Sequence, residues 1–319
     1  MSTNAAVTSE ENKAVIPDKI VRKSELRSKF KRQKAILIML IPGVLWYLFF
    51  RYAPMLGAVT AFTDYGTKAQ ISFIGLDNFR QLFTSPGFWG AFRNTLIISF
   101  LNLVFYFPLP IILALMMNEI IHIRFKKLVQ FIVYIPHFFS WVVVGAIFVM
   151  ILSPSEGIVN EIIQLLGGKS IYFMAMPQYF RGVLVASYMW RDVGYGTVIY
   201  VATLSTVDPQ LYDAATVDGA GYLGKLKYVT LPSIKSTIAT VLLLTVARIL
   251  MIFEQVLVMT GPTVLSVSEV LSTYSYTEGL LNGNIGYATA VSLFTAVVSA
   301  LLVVGCNMTS KKALGESIL

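Results

Sequence analysis

The stretch YDAATVDGAGYLGKLKYVTLP, residues 212–232, interrupts a chain that is otherwise strongly apolar. It contains two aspartates, three glycines and two lysines, and long apolar runs lie on both sides of it, at residues 182–207 and 236–260. Apolar runs of this length are typical of helices that cross a membrane. The stretch therefore predicts a structured polar loop between two such helices. The function of this loop is inferred from the residues that it contains.

The composition of the whole chain is that of an integral membrane protein. Apolar residues make up 56% of the sequence and charged residues 13%, whereas about a quarter of the residues of a soluble domain are charged. A helix needs about 20 apolar residues to cross the roughly 30 Å of hydrocarbon in a bilayer. We therefore predict an all-α integral membrane protein with six transmembrane helices. The predicted spans are residues 35–62, 95–117, 128–152, 182–207, 236–260 and 286–306.

The distribution of lysine and arginine predicts the orientation, because short cytoplasmic loops retain these residues. Arg51 interrupts the first span and is expected near the outer surface, which a long basic side chain can reach. If the N-terminus is cytoplasmic, seventeen of the 25 basic residues face the cytoplasm and four lie in outer loops. Both termini are therefore predicted to be cytoplasmic. The predicted parts are a basic N-terminal segment, 1–34, a permeation domain, 35–308, whose cytoplasmic loop is 208–235, and a C-terminal tail, 309–319.

The sequence contains no pattern that predicts catalysis, a metal site or a nucleic-acid partner. The basic run at residues 21–34 directly precedes the first span, which indicates contact with anionic lipid. In GGKS, residues 167–170, Ile163 occupies the place where a phosphate-binding loop needs glycine. His137 is expected to be a packed residue, and Cys306, the single cysteine, cannot form an internal disulfide.

The local chemistry of the 212–232 stretch predicts a short helix that ends in a sharp turn. Asp208 is suited to cap the helix and Pro209 to its first position. Gly219 and Gly221 can adopt left-handed conformations that end it. A second short amphipathic piece, residues 222–229, then leads to the fifth span. The product is either an elbow that lies on the lipid surface or a docking element for a cytoplasmic partner.

Eight residues of the loop resemble the EAA loop of the membrane subunits of bacterial ABC importers, in which E-A-A-x-x-D-G-A is followed by I-x-L-P. Asp213 stands where glutamate is usual, Leu226 where phenylalanine is common and Ser236 where proline is frequent, but the spacing is intact. The resemblance implies that these residues bind an ATPase subunit, with the two acidic side chains pairing with its basic groups. The eight residues are Asp213, Ala214, Ala215, Asp218, Gly219, Ala220, Leu231 and Pro232.

The likeness extends from about residue 35 to the end of the chain, through FIGLDNF, FWGAFRNTLIIS, LPIILALMMNE, YIPHFFSWVVV and IFEQVLVMTGP. These segments are similar to carbohydrate importers of the maltose-permease class, in particular to its oligosaccharide branch. The resemblance implies the type I ABC importer transmembrane-domain fold in the bacterial cytoplasmic (inner) membrane. It also implies a heterodimer with a second, related permease, an external solute-binding protein and two ATPase subunits that hold ATP and Mg. This chain would bind no cofactor and would not be an enzyme.

Polar and aromatic residues inside the spans are the candidates for contact with an oligosaccharide. Charge at membrane depth is costly and normally faces a cavity or a partner, and sugars stack on aromatic rings. The alternative is that the charged residues form structural ion pairs between helices and that the aromatic residues belong to interfacial belts. The candidates are Phe138, Trp141, Trp190, Arg191, Asp192, Tyr195, Arg248, Phe253, Glu254 and Gln255.

Two arginines inside the spans raise the question of the charge of the cargo. Arg191 and Asp192 are neighbours that point about 100° apart on a helix, and Arg248 and Glu254 are about 240° apart, so neither pair is expected to meet within its own helix. A free guanidinium suits a carboxylate. This favours an acidic oligosaccharide, as in an alginate-type importer, and neutral oligosaccharides are the alternative. A function of another class is a membrane-embedded transferase, which would need an acid, base or metal constellation at the membrane face.

Overall fold

The computed structural model describes residues 33–66 and 71–314. Helices dominate these ranges, and Thr63 pairs with Phe73 in an antiparallel β-bridge. The predicted N-terminal segment up to residue 32 and the end of the C-terminal tail lie outside the described residues. The α-helices are α1 Lys34–Tyr47, α2 Asp77–Thr84, α3 Pro86–Leu101, α4 Pro108–Asn118, α5 Ile123–Tyr134, α6 Trp141–Ile151, α7 Ile158–Leu165, α8 Pro177–Leu204, α9 Pro209–Val217, α10 Tyr222–Lys225, α11 Leu231–Arg248, α12 Glu254–Met259, α13 Leu265–Ser268, α14 Leu271–Tyr276 and α15 Ile285–Leu314.

The chain divides into two compact units, residues 1–58 and 59–319. In the described part of the first unit, α1 continues through a π-helical turn, Leu48–Tyr52, and one further turn, Ala53–Met55. Pro42 lies inside α1. Side chains from Ile38 onward are apolar on all faces of the helix, which is typical of a segment surrounded by lipid or by other helices.

Four continuous helical segments within the described ranges are long and apolar enough to cross a membrane. They are Ile38–Phe62, Pro86–Asn118, Tyr222–Arg248 and Ile285–Lys312. A fifth is obtained if the bent pair Ile123–Phe138 and Trp141–Ile151 is counted as one span. The remaining predicted span, 182–207, forms the 28-residue helix α8, which carries Arg191 and Asp192. The second predicted span starts earlier than expected, at Pro86, and the sixth extends to Leu314.

The third and fifth predicted spans are not continuous helices, contrary to the sequence-based prediction. The third bends by 104° where Ser140 caps α6, its side chain accepting a hydrogen bond from Val143 N. The fifth ends at Arg248 and resumes as α12 after an irregular segment, residues 249–253. The break is stabilised locally, because Ser99 Oγ donates a 2.7 Å hydrogen bond to the Ile249 carbonyl. A backbone carbonyl freed inside a membrane needs such a partner.

Helix α8 lies at the centre of the second unit and packs against α4, α5, α11 and α12. One cluster of buried residues joins α8 to α12 through Leu184 and Val256, and another joins α8 to α4 through Tyr200 and Ala114. Gly194 permits the closest approach, because a Cβ at this position would overlap the carbonyl oxygen of Val133 in α5. The neighbouring helices α4, α5, α11 and α12 are therefore held in place by their packing against α8.

Candidate functional site

The loop between α8 and α11 has the local structure that its sequence predicts at its start and at its turn. Asp208 caps α9, with its carboxylate accepting a 2.9 Å hydrogen bond from Gln210 N. Gly219 has φ of +78°, a left-handed conformation that ends α9. Gly221 was also expected to be left-handed, but its φ is −70° and its ψ is −176°, so the backbone there is extended. One glycine is sufficient for the turn.

The second half of the loop is part of the next membrane helix rather than a separate amphipathic piece. Helix α10, a π-helical turn at Leu226–Thr230 and α11 form one helical segment, Tyr222–Arg248. Leu231 and Pro232 therefore lie within this segment. The π-helical turn directly before Pro232 accommodates the missing N–H and the bulk of the proline ring. A hydrogen bond of 3.2 Å between Tyr212 Oη and Thr230 Oγ1 ties α9 to this segment.

Four of the eight predicted docking residues are exposed on α9 and its turn. Asp213, Ala214, Asp218 and Gly219 are exposed, and Ala215 and Ala220 are half-buried. Within the described parts of the chain, neither the Asp213 nor the Asp218 carboxylate forms an ion pair or a side-chain hydrogen bond. Apolar side chains are exposed beside them, among them Leu211 and Val217. This combination of unpaired acids and exposed apolar side chains is suited to contact with another protein.

Two of the cavities in the described chain contain predicted cargo residues. The larger, of about 630 Å³, lies between α8 and α11 and the π-helical turn Asn102–Tyr106. The smaller, of about 360 Å³, lies beside the break between α11 and α12 and includes Trp141. Three residues line both cavities: Tyr188, Arg248 and Ile252. These three residues therefore occupy the boundary between the two cavities.

Arg191 and Asp192 form an ion pair, contrary to the expectation from their 100° separation on the helix. Arg191 Nη1 lies 3.1 Å from each carboxylate oxygen of Asp192. This ion pair is possible because the arginine side chain is long enough to bend back toward its neighbour. Two further groups hold it in that conformation. Its Nε donates a 3.0 Å hydrogen bond to the Phe139 carbonyl, and its Cζ lies 4.7 Å from the ring centre of Trp141.

His137 completes this cluster. Its Nδ1 donates a 2.6 Å hydrogen bond to the Asp192 carboxylate, and its ring stacks on Tyr195 with 3.9 Å between the ring centres. The expectation that His137 is a packed residue agrees with this stack, whereas its contact with Asp192 has no signal in the sequence. The cluster fastens the break between α5 and α6 onto α8. Arg191 and Asp192 are thus structural partners in this geometry.

Arg248 has no such partner. It is exposed to both cavities at the end of α11, and within the described ranges it forms no ion pair and no hydrogen bond. Glu254 also lines the smaller cavity, but it does not form a salt bridge with Arg248. The expected separation of about 240° assumed one continuous helix, whereas the break at residues 249–253 places the two residues in different helices. The larger cavity therefore carries a guanidinium whose charge is unpaired within the described chain.

The other predicted cargo residues are divided between the cavities and the packing around them. Tyr195 lines the larger cavity, and Trp141, Phe253 and Gln255 line the smaller one. Gln255 is buried and donates to the Leu184 carbonyl and to Ser187 Oγ, so its amide nitrogen is already used. Trp190 packs against Phe139 and Phe148 and, like the exposed Phe138, lines neither cavity.

Among the lining residues that were not predicted, three are of interest for contact with a sugar. Tyr106 and Tyr188 contact each other edge to face with 4.7 Å between the ring centres, and both line the larger cavity. The Asn102 side-chain oxygen in the same wall is buried without a hydrogen-bond partner. Each of the three is an uncharged polar or aromatic residue within an apolar run. The candidates were polar and aromatic residues of the third, fourth and fifth spans, so Asn102 and Tyr106 in the second span were missed, and no further signal in the sequence singles out Tyr188.

Comparisons with known proteins identify relatives over nearly the whole chain. A family model described as "binding-protein-dependent transport system inner membrane component" matches residues 106–307. The polygalacturonan/rhamnogalacturonan transport system permease protein YteP of Bacillus subtilis (strain 168) is 41% identical over 316 residues, which are 97% of this chain and 98% of that protein. Protein LplB of the same organism is 39% identical over 286 residues, which cover 88% of this chain and 90% of LplB.

A solved structure has a closely similar fold. It is the crystal structure of a bacterial ABC transporter involved in the import of the acidic polysaccharide alginate, and one of its chains is 39% identical to this one. The match has a TM-score of 0.84 and covers 91% of this chain and 99% of that chain. A second crystal structure, of a bacterial alginate ABC transporter in complex with an alginate pentasaccharide-bound periplasmic protein, matches with the same TM-score and 38% identity.

Proposed function

The chain belongs to the family of binding-protein-dependent transport system inner membrane components and is the permease subunit of a sugar ABC importer, and we propose that its cargo is an acidic oligosaccharide. It is a multi-pass membrane protein of the type I importer fold and not an enzyme. A membrane-embedded transferase is therefore not its function.

The main support for an acidic cargo is the unpaired guanidinium of Arg248, which lies at the boundary between the two cavities. An unpaired charge at membrane depth is costly, and a neutral oligosaccharide would leave that cost in place. A uronate carboxylate would accept two parallel hydrogen bonds from the guanidinium. Tyr106, Tyr188 and Tyr195 provide ring faces and hydroxyl groups around the same space for the sugar rings. The alginate importer of similar fold transports an acidic polysaccharide, which supports the same cargo class.

The proposed coupling element is α9 together with its turn. ATP and Mg are bound by two separate ATPase subunits, and each ATPase holds an exposed loop of one permease in a groove. The Tyr212–Thr230 hydrogen bond ties α9 to the helical segment Tyr222–Arg248. This segment is about 40 Å long at 1.5 Å per residue. A displacement of the loop would therefore be transmitted along one helix to Arg248, which is the kind of rigid-body motion by which transporters alternate access.

The proposed assembly contains one copy of this chain, a second and related permease, the two ATPase subunits and an external solute-binding protein that delivers the oligosaccharide. Both termini and α9 face the cytoplasm in this arrangement, in agreement with the distribution of basic residues. The alginate transporter of similar fold has been solved with a periplasmic binding protein, which supports the need for such a partner. Neutral oligosaccharides are the alternative cargo.

The cargo is tested by the ATPase activity of the reconstituted complex, stimulated by binding protein loaded with uronate oligomers or with neutral oligomers of equal length. We expect stimulation by the uronate series. A charge-assisted hydrogen bond contributes about 1.5–3 kcal/mol, and 1.4 kcal/mol corresponds to a tenfold change. Arg248→Gln should therefore reduce uronate transport at low concentration by about tenfold or more.

Glu254→Gln is the matched control, because Glu254 lines the smaller cavity without a partner and carries the wrong charge to bind a carboxylate. It should leave uronate transport close to wild type or increase it. Stimulation by the neutral series alone would contradict the proposal. So would an Arg248→Gln variant that transports uronates as well as the wild type.

A further inference from the structure

The short helix α7, Ile158–Leu165, has an apolar face that nothing in the described chain covers. Ile158 is 58% exposed, Ile162 51%, Leu165 80% and the following Leu166 83%. At 100° per residue these four side chains lie within about 100° of one another on the helix. We refer to them as the aliphatic stripe. A contiguous exposed apolar surface of this kind marks contact with lipid or with another protein.

The opposite side of α7 is held firmly by one asparagine. Asn160 is 1% exposed, and its side-chain nitrogen donates to the carbonyls of Leu152, Ser153 and Ile171 at 3.0 to 3.1 Å. Its side-chain oxygen accepts a 2.8 Å hydrogen bond from Ile171 N. These bonds fix the rotation of α7 about its own axis. The direction of the aliphatic stripe is therefore determined by the fold.

The same bonds fix the position of α7 relative to the end of α6. Helix α6 ends at Ile151, and Leu152 and Ser153, which accept from Asn160, directly follow it. Gly157 packs so closely on this end that a Cβ would come within 2.6 Å of the Ile151 carbonyl oxygen. Helix α7 is thus fastened to the end of a helix that belongs to a candidate membrane span.

The residues around the stripe have the distribution that an interfacial helix requires. Glu161 lies at its polar edge, and Gln164 is turned toward Ser170 Oγ, to which its nitrogen donates at 2.6 Å. Lys169 and Tyr172 follow the helix and are both exposed. Lysine and tyrosine are residue types that anchor proteins at the headgroup level. An apolar face, a polar edge and these anchors together are typical of a helix that lies in the plane of the membrane surface.

From this geometry we propose that α7 lies in the membrane interface, with the aliphatic stripe inserted among the lipid acyl chains at the end of α6. The occupant of the stripe is therefore lipid, and neither the solute-binding protein nor the second permease covers it. Because α6 is joined to α5 at the bent segment that Arg191 and His137 fasten to α8, the interfacial helix holds the other end of α6 at a constant depth. This inference does not depend on the nature of the cargo.

The test places a nitroxide label on the assembled transporter in lipid nanodiscs. Single cysteines are introduced at Ile162, Leu165 and, as the matched control on the polar edge, Glu161, in a chain in which Cys306→Ala has removed the native thiol. Collisions with oxygen, which concentrates in the bilayer, are compared with collisions with a water-soluble nickel chelate. The ratio of oxygen to nickel accessibility should exceed one at positions 162 and 165 and fall below one at position 161.

Three outcomes would overturn the inference. Ratios below one at all three positions would show that the stripe lies in water. Low accessibility to both reagents at positions 162 and 165 would show that another subunit covers it. A label that becomes protected only when the loaded binding protein is added would assign the stripe to that protein. The measurement requires no transport, so failure of the proposed cargo would leave it unaffected.

Discussion

At the scale of single residues, the two arginines inside the spans have different environments. Arg191 is held by Asp192, the Phe139 carbonyl and the ring of Trp141. Arg248 has no hydrogen-bonding or charged partner in the described chain and faces both cavities. The sequence alone does not predict this difference, because each arginine is a basic residue within an apolar run. Their surroundings suggest that one stabilises the fold and the other is available to a ligand.

This difference predicts opposite effects of the same substitution at the two positions. Arg191→Gln leaves Asp192 and His137 without their cation, and removing one partner of a buried ion pair costs on the order of 3 kcal/mol. We expect a clear decrease in the apparent unfolding temperature of the purified complex. Arg248→Gln is the control and should leave that temperature unchanged or raise it, because no protein contact is lost.

Thermal unfolding monitored in detergent at a fixed heating rate measures both variants. The interpretation would be wrong if Arg191→Gln were as stable as the wild type while its discrimination between uronate and neutral oligomers changed. Arg191 would then be a cargo contact, and its bonds to Asp192 would be incidental to the fold.

At the scale of elements, irregular backbone lies where the functional residues are. The bend between α5 and α6 brings His137 and Trp141 toward α8, and the break between α11 and α12 brings Arg248 to the boundary of the two cavities. Irregular backbone at membrane depth is tolerated only where protein or a cavity provides hydrogen bonds. Ser99 provides one at the second break. The loop from Asp208 to Gly221 is the corresponding element at the surface.

The turn after α9 gives a test of coupling with a matched control. Gly219 has a positive φ, and a left-handed backbone costs a residue with a side chain roughly 1–2 kcal/mol. A β-branched residue is disfavoured further. Gly219→Val should therefore abolish ATP-driven uptake while the protein still reaches the membrane. Gly221→Val is the control, because the extended backbone at Gly221 suits valine and no atom lies within 4 Å of its Cβ position.

Uptake and membrane level are measured in the same cells, together with recovery of the ATPase subunits on purification. If Gly219→Val transported like the wild type, the turn would have no part in coupling. If Gly221→Val were equally inactive, the effect would come from bulk in the loop and not from the left-handed conformation.

At the scale of the whole molecule, the central feature is one helix, Tyr222–Arg248, that runs from the polar loop to the cavity boundary. The interfacial helix α7 and the loop lie at opposite ends of membrane segments if the basic residues mark the cytoplasmic side. The proposed transport cycle depends on this arrangement, because ATP is present on one side of the membrane and the binding protein on the other.

The orientation is tested by labelling single cysteines in intact cells with a membrane-impermeant thiol reagent, again in the Cys306→Ala background. Lys169 and Lys227 are suitable positions because both are exposed, whereas the neighbouring Lys225 is half-buried. A cysteine at position 169 should be labelled from outside, and one at position 227 should react only after the membrane is permeabilised. The reverse pattern would invert the topology and remove the argument that α9 meets an ATPase.

The sequence by itself determined the features of this permease that depend on neighbouring residues along the chain. The lengths of the apolar runs predict where membrane helices lie, and Asp208 and Gly219 predict the start and end of α9, because capping and left-handed turns involve only a few adjacent residues. The tertiary structure alone decided where the third and fifth spans break, that His137 and Phe139 bind the Arg191–Asp192 pair, and that Arg248 stays unpaired. These features arise from contacts between distant helices and irregular segments, and helical periodicity in one segment carries no information about which groups another segment brings to it.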